Sequence, residues 1–284
     1  MLAAATMFGL MAFSAKIASR HLSGPEVAMI RMAVGLLPCL IVPRYRRAAM
    51  HFQRVDLILY RGIFGGIAVM LYFLAIEHTT VGIATLLNYT APIWSGLFSA
   101  LFIGERVSAK VLLPLPIALA GIYLVVHGEP LGFGRWEIAG LCSALASGAA
   151  VTAMRAARRA ENSWSVYASF CFFGFVVNAP LALRDWKMPV GVDWIALAGT
   201  AAFAMGAQLL LTFVLRWVDA MTVGVISQLA VLIAMALGAM FLEERITPMA
   251  AVGSALTIAG VVGVTYVTSL AKRAGAADEL VPEA

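Results

Sequence analysis

Val81–Arg106 reads VGIATLLNYTAPIWSGLFSALFIGER, and 139 residues later Ala220–Arg245 reads AMTVGVISQLAVLIAMALGAMFLEER. Each is an apolar run long enough to cross a bilayer and closes on a Glu-Arg pair. Each also carries a polar pair at the same depth: Asn88 with Tyr89, and Ser227 with Gln228. The same ungapped shift sets Ala5 on Ala144, Gly9 on Gly148, Val27 on Val166, Gly35 on Gly174, Phe64 on Phe203 and Ala120-Gly121 on Ala259-Gly260. A single match between apolar helices means little. One register that serves every helix pair signals an internal duplication.

Working outward, the sequence brackets ten apolar segments: Leu2–Ser19, Val27–Val42, Val55–Ile76, Val81–Ile103, Val111–Val126, Ile138–Met154, Ser165–Leu183, Trp194–Trp217, Ala220–Leu242 and Pro248–Ser269. A span needs about 20 apolar residues, because 1.5 Å per residue must cross roughly 30 Å of hydrocarbon. The shorter segments require local thinning or upright helices. Of the 284 residues 62% are hydrophobic and 12% charged, about half the charge of a soluble domain. Backbone groups in lipid find no water, so each span is expected to be a helix. The runs are too long, and lack the alternation, for strands of a barrel.

The expected fold class is an all-α polytopic membrane protein of about ten transmembrane helices in two inverted five-helix repeats, residues 1–137 and 138–272, followed by a polar, frayed tail at 273–284. An odd number of helices per repeat makes the second cross in the opposite sense. Inverted repeats are a common plan of secondary transporters, with the substrate near mid-membrane where the halves meet.

The net charge of +5 does not point to nucleic acid. Lys and Arg gather in loops on one side, among them Arg44, Arg46, Arg47, Arg54, Arg106, Lys110, Arg155, Arg158 and Arg159. Fewer lie on the other: Arg20, Arg135, Arg184, Lys187 and Arg245. The basic side is expected to be cytoplasmic, with both termini on it. No basic residue precedes the apolar start at Leu2, so a cleaved signal peptide is not expected. Cys39, Cys142 and Cys171 lie in apolar segments without a CxxC, and the His residues form no HxxxH or HExxH. No metal, cofactor or catalytic cluster is therefore expected, and no enzyme.

The Glu-Arg signature closing the fourth helix of each half resembles the drug/metabolite transporter superfamily, and its EamA-type ten-helix exporters in particular. Leu87–Trp94 (Leu-Asn-Tyr-Thr-Ala-Pro-Ile-Trp) is similar to fourth helices of that family, and Arg31, after Pro25, matches a recurrent family arginine. Within the family the chain looks most like aromatic and broad-range amino-acid exporters. The resemblance implies an inner-membrane secondary transporter that exports small metabolites, amino acids foremost, by alternating access, with the substrate and the lipid bilayer as its partners.

Thr85, Asn88, Tyr89 and Pro92 fall at i, i+3, i+4 and i+7, one face of a helix. The shift gives Gly224, Ser227, Gln228 and Val231. An amide in hydrocarbon needs a partner on another helix, a water or a ligand. Substrate contacts are expected from Tyr72, Asn88, Tyr89, Trp94, Gln208, Ser227 and Gln228; the competing reading is that these groups only bond neighbouring helices. Gating is expected at Pro92, which can kink its helix, and at Glu105-Arg106 and Glu244-Arg245 at helix ends. Lys16, Arg31 and Arg61 lie near span ends and read as cations snorkelling to water, with Arg31 or Lys16 on a substrate carboxylate as the alternative. No carboxylate falls in the middle of a span, which favours a facilitated-diffusion uniporter over a proton-coupled multidrug antiporter.

Overall fold

The computed structural model describes residues 1–49, 52–103, 113–127, 134–157, 161–214 and 226–278. Among them every regular element is a helix: α1 (Leu2–Ala18), α2 (Gly24–Ile41), α3 (Pro43–Ala49), α4 (Val55–His78), α5 (Val81–Asn88), α6 (Ala91–Ile103), α7 (Pro114–His127), α8 (Arg135–Ala157), α9 (Ser163–Arg184), α10 (Val192–Val214), α11 (Leu229–Phe241) and α12 (Pro248–Asp278). Six are long and apolar enough to cross a membrane, and α1, α7 and α11 are shorter apolar helices. The protein is an all-α, multi-pass membrane protein.

Local chemistry sets several starts. Ser23 and Glu26 form a capping box on α2, with Pro25 in the first turn where its missing N–H is harmless. Thr80 caps α5 through the Ile83 amide, and Asn162 caps α9 through Trp164 and Ser165. Two expectations differ from the structure. Val81–Ile103 is not one helix but α5 and α6, broken at Tyr89-Thr90. The frayed tail is helical as far as Asp278, because α12 continues past the apolar bracket.

Contacts show which helix ends lie together. Lys16 Nζ, in the last turn of α1, donates to the carbonyls of Ile76, Glu77 and Thr79 at the end of α4, at 2.8, 3.2 and 2.6 Å. Glu77 Oε2 accepts from the Gly24 amide at the start of α2 at 2.6 Å. His21 Nδ1 meets Asp193 at the start of α10 at 2.7 Å, and His78 stacks on Trp136 at the start of α8 at 3.6 Å. These form the Lys16 end. At the opposite end Glu161 accepts from the Gln53 and Arg54 amides ahead of α4, at 2.5 and 2.6 Å, and Tyr45 of α3 stacks on Trp164 of α9 at 3.9 Å.

The packing is interleaved. α4 packs on α8 and α9, and α6 on α8; α10 packs on α1 and α2, and α11 on α1. Adding 139 to the first set of helices, or subtracting it where they lie late in the chain, produces the second set. Two bundles result, one of α4, α5, α6, α8 and α9 and one of α1, α2, α10 and α11, each drawn from both ends of the sequence. They meet through α2 on α9 and α4, α5 on α11, and α1 on α4 and α5, while α7 and α12 pair with each other. In that last pair Gly121 lies against the Thr257 backbone and Gly260 against Ala118, an approach no larger residue permits.

Candidate functional site

The break between α5 and α6 has a covalent cause. Pro92 carries no N–H, so the Asn88 carbonyl loses its partner one turn on. Pro92 becomes the second residue of α6, where the missing donor costs nothing. The Ile93 amide turns to the Thr90 carbonyl at 2.9 Å and leaves the Tyr89 carbonyl free. Gln228 Nε2 donates to that carbonyl at 3.3 Å. Gln228 is itself the N-cap of α11 and interrupts the regular helix there, its carbonyl taking the Val231 amide at 3.0 Å. Tyr89 and Gln228 are 139 residues apart, the interval of the internal repeat. Equivalent positions therefore touch, as they do on a local two-fold axis.

Around this contact polar atoms stand unpaired. Asn88 Nδ2 donates to Ser143 Oγ at 2.9 Å and Ser147 Oγ at 3.3 Å on α8. Asn88 Oδ1, the Tyr89 hydroxyl and Gln228 Oε1 have no hydrogen-bond partner among the described residues. Trp94 Nε1 is buried and equally unpaired, and its Cβ packs on Gly148, next to Ser147. Asn88, Tyr89, Trp94 and Gln228 thus converge where two helices are interrupted. Tyr72 is different: it is buried and its hydroxyl pairs with Thr85 Oγ1 at 2.9 Å. Gln208 and Ser227 are half-buried and each has contacts of its own.

The snorkelling reading of Arg31 and Arg61 fails. Their side chains are only 8% and 6% exposed. Arg31 of α2 lies over the rings of Phe73 and Phe170, at 5.6 and 5.9 Å, and Arg61 of α4 lies over Phe170 at 4.2 Å. Neither makes a hydrogen bond among the described residues, and Arg61 Nε is a buried, unpaired donor. The ion pairs among the described residues are His21–Asp193, Arg54–Asp56 and His78–Glu77, none involving these two arginines. Burying a cation costs several kcal/mol, and a desolvated aromatic face returns about 2 kcal/mol. The aromatic sheath offsets only part of that. Both guanidinium groups thus lie over the same ring, Phe170, where α2 and α4 pack on α9. A small cavity beside Arg31 is lined by Met32, Tyr167, Phe170, Cys171 and Met205. Position along a span does not tell which way a side chain faces, so only the packing of α2 and α4 on α9 reveals this pair.

Lys16 does not snorkel either; with three bonds it caps the carbonyl end of α4. Glu244 Oε1 and Oε2 accept from the Val81 amide at 2.9 and 3.0 Å, joining the loop after α11 to the start of α5. Burial raises its carboxyl pKa, against the pull of the Val81 amide and Lys16. Glu243 sits in the left-handed region (φ 55°) and turns the chain so that the Glu244 amide returns to Gly238. Arg245 is exposed and makes no ion pair among the described residues. Glu105 and Arg106 lie outside the described residues. One carboxylate departs from the picture of acids near water: Glu26 is 0% exposed and its Oε1 has no partner.

The sequence pattern of the EamA-like transporter family matches the chain twice, over residues 1–127 and 134–266. The chain belongs to the EamA-like transporter family. This EamA-like transporter is 28% identical over 257 residues to the pseudopaline exporter CntI of Pseudomonas aeruginosa, covering 89% of this chain and 87% of the relative. It is 29% identical to an uncharacterized transporter of Archaeoglobus fulgidus, over 70% of this chain and 72% of that one. It is 24% identical to human solute carrier family 35 member G1, over 80% of this chain and 67% of the relative. A solved crystal structure superposes with a TM-score of 0.62 at 20% identity, covering 95% of this chain and 97% of the other, which establishes a shared fold. The family resemblance read from the sequence holds, while the narrower likeness to aromatic amino-acid exporters is not carried by the names of these relatives.

Proposed function

We propose that this transporter exports small, amino-acid-like metabolites across the inner membrane by alternating access, as a facilitated-diffusion uniporter with both termini cytoplasmic. The observation that carries the reading is the Tyr89–Gln228 contact, where two repeat-related spans are interrupted and their polar atoms face one another. Interrupted helices at mid-membrane are where secondary carriers hold their cargo, because freed carbonyls and helix ends supply fixed partial charges. The pseudopaline exporter among its relatives supports the outward direction. Asn88, Tyr89, Trp94 and Gln228 would touch the substrate directly, with Tyr72, Gln208 and Ser227 behind them. Residues 1–137 and 138–272 are then two inverted repeats.

The test is release of labelled amino acids from preloaded proteoliposomes with no imposed pH or voltage gradient. Asn88→Ala and Gln228→Ala should each weaken transport roughly fivefold, the effect of about 1 kcal/mol for one lost hydrogen bond. If both variants transport at the wild-type rate, these amides serve only helix packing. The fully buried Glu26 favours a second reading, a proton-coupled antiporter. Uphill accumulation of a neutral substrate driven by a proton gradient, abolished by Glu26→Gln, would establish it in place of the uniporter.

A further inference from the structure

We infer that Arg31 and Arg61 form a paired anion subsite that selects a substrate carrying two negative charges. The inference rests on the carrier reading and narrows its substrate class. Both guanidinium groups are buried, both lie over the Phe170 ring, and no carboxylate among the described residues pairs with either. Arg61 keeps an unpaired, buried Nε donor. A guanidinium presents its N–H groups in a planar fork that matches a carboxylate or phosphate bidentately. One buried arginine would suit a monoanion. Two beside one ring repel, and a dianion between them removes the repulsion and supplies both missing counter-charges.

Placement strengthens the inference. Arg31 belongs to one bundle, through α2, and Arg61 to the other, through α4. Both lie over Phe170, and that ring also lines the small cavity beside Arg31. A dianion held by both arginines therefore spans the bundle interface where α2 and α4 meet α9. Neutral parts of the same ligand would lie against Phe170, Tyr167 and Met205.

The experiment measures binding, not transport, so its failure is distinct from failure of the carrier reading. Protein in nanodiscs of zwitterionic lipid is titrated at constant ionic strength with succinate, glutarate, inorganic phosphate, acetate and glutaramide. Thermal shift and calorimetry are the readouts. Succinate, glutarate or phosphate should bind at least tenfold more tightly than acetate or glutaramide, and the better dianion identifies whether carboxylates or a phosphate carry the charge. Arg31→Gln and Arg61→Gln should each abolish that preference, and Arg61→Lys should restore part of it. If either glutamine variant does not fold, the glutarate and glutaramide comparison on the native chain decides alone. Equal binding of dianions and glutaramide, or a dianion preference that survives in both glutamine variants, overturns the inference.

Discussion

Removing Glu244 should loosen the Lys16 end by a calculable amount. Its carboxylate holds the first free amide of α5, that of Val81, at 2.9 and 3.0 Å, while Thr80 Oγ1 holds that of Ile83 at 3.3 Å. A hydrogen bond to a charged group contributes about 1.5–3 kcal/mol, and a negative charge at a helix start adds about 0.3–1 kcal/mol. Desolvation of the carboxylate subtracts from that sum, so Glu244→Ala should cost about 2 kcal/mol, roughly a 30-fold change in the opening equilibrium. Hydrogen exchange of the peptide spanning Val81–Leu87 reads this directly, and its protection should fall by that factor. The sign of the pH dependence follows from the raised carboxyl pKa. The pH-dependent part of Glu244's contribution, an increment on top of the hydrogen bond to Val81, is complete below the ordinary carboxylate pKa and is lost as pH rises through the raised one. Corrected for intrinsic exchange, the latch should tighten in acid, whereas Glu244→Gln should be flat. Lys16, Glu77 and Arg20 share this electrostatic neighbourhood and are unchanged in both proteins. Unaltered protection of Val81–Leu87 in folded Glu244→Ala would refute the latch.

Other substitutions test the fold and its orientation. Glu243→Gly should raise thermal stability by about 1 kcal/mol, because it relieves a left-handed non-glycine residue; Gly104 already occupies the matching position in the first half. A lower melting temperature would mean that the Glu243 side chain makes a stabilising contact. Gly121→Val should drive a methyl into the Thr257 backbone, cost about 3 kcal/mol or more, and reduce the monodisperse fraction in detergent; a normal yield would show that α7 and α12 can part. Phe52→Cys and Trp186→Cys, each with Cys142→Ser because native Cys142 is only half-buried, place thiols at exposed positions on opposite ends, while native Cys39 and Cys171 are buried. An impermeant thiol reagent should label only position 186 in intact cells, and labelling of position 52 instead would reverse the orientation.

The spans and the 139-residue shift were legible because each is written in the chain itself, as apolar length and as repeated spacing. Asn88, Tyr89 and Gln228 stood out because an amide or hydroxyl inside a long apolar run is costly unless something uses it. The break at Tyr89-Thr90 was half visible: Pro92 announces a lost hydrogen bond but not whether the helix bends or stops. Arg31 and Arg61 were misread because depth along a helix is a one-dimensional quantity, whereas burial depends on which helix covers the face. Phe170, 109 residues beyond Arg61 in the sequence, supplies that cover only once α4 packs on α9. The bond of the Tyr72 hydroxyl to Thr85 is not legible in the sequence, because Thr85 sits across a helix boundary that spacing cannot resolve.

The interleaved packing decides what can move. Because α4 is bound to α8 and α9, and α10 to α1 and α2, separating residues 1–137 from 138–272 as rigid blocks would break nearly every helix contact. Under the proposed function the units that part are the two mixed bundles. Lys16 to α4, Glu77 to Gly24 and Glu244 to Val81 all cross between them at the Lys16 end. The Glu161 bond to Arg54 and the His21 bond to Asp193 each lie within one bundle, so they persist through any rocking. Under the proposed function, opening the Lys16 end requires these crossing contacts, and the Lys187 bond to the His21 carbonyl at 3.1 Å, to release together. Under the proposed function, a dianion between Arg31 and Arg61 acts on this same interface from within: it joins the bundles while bound and restores the repulsion of two buried cations once it leaves. Substrate occupancy and closure are then linked through one pair of side chains. A carrier built this way needs no further ion to move its cargo down a gradient, only a site whose two halves sit on different bodies.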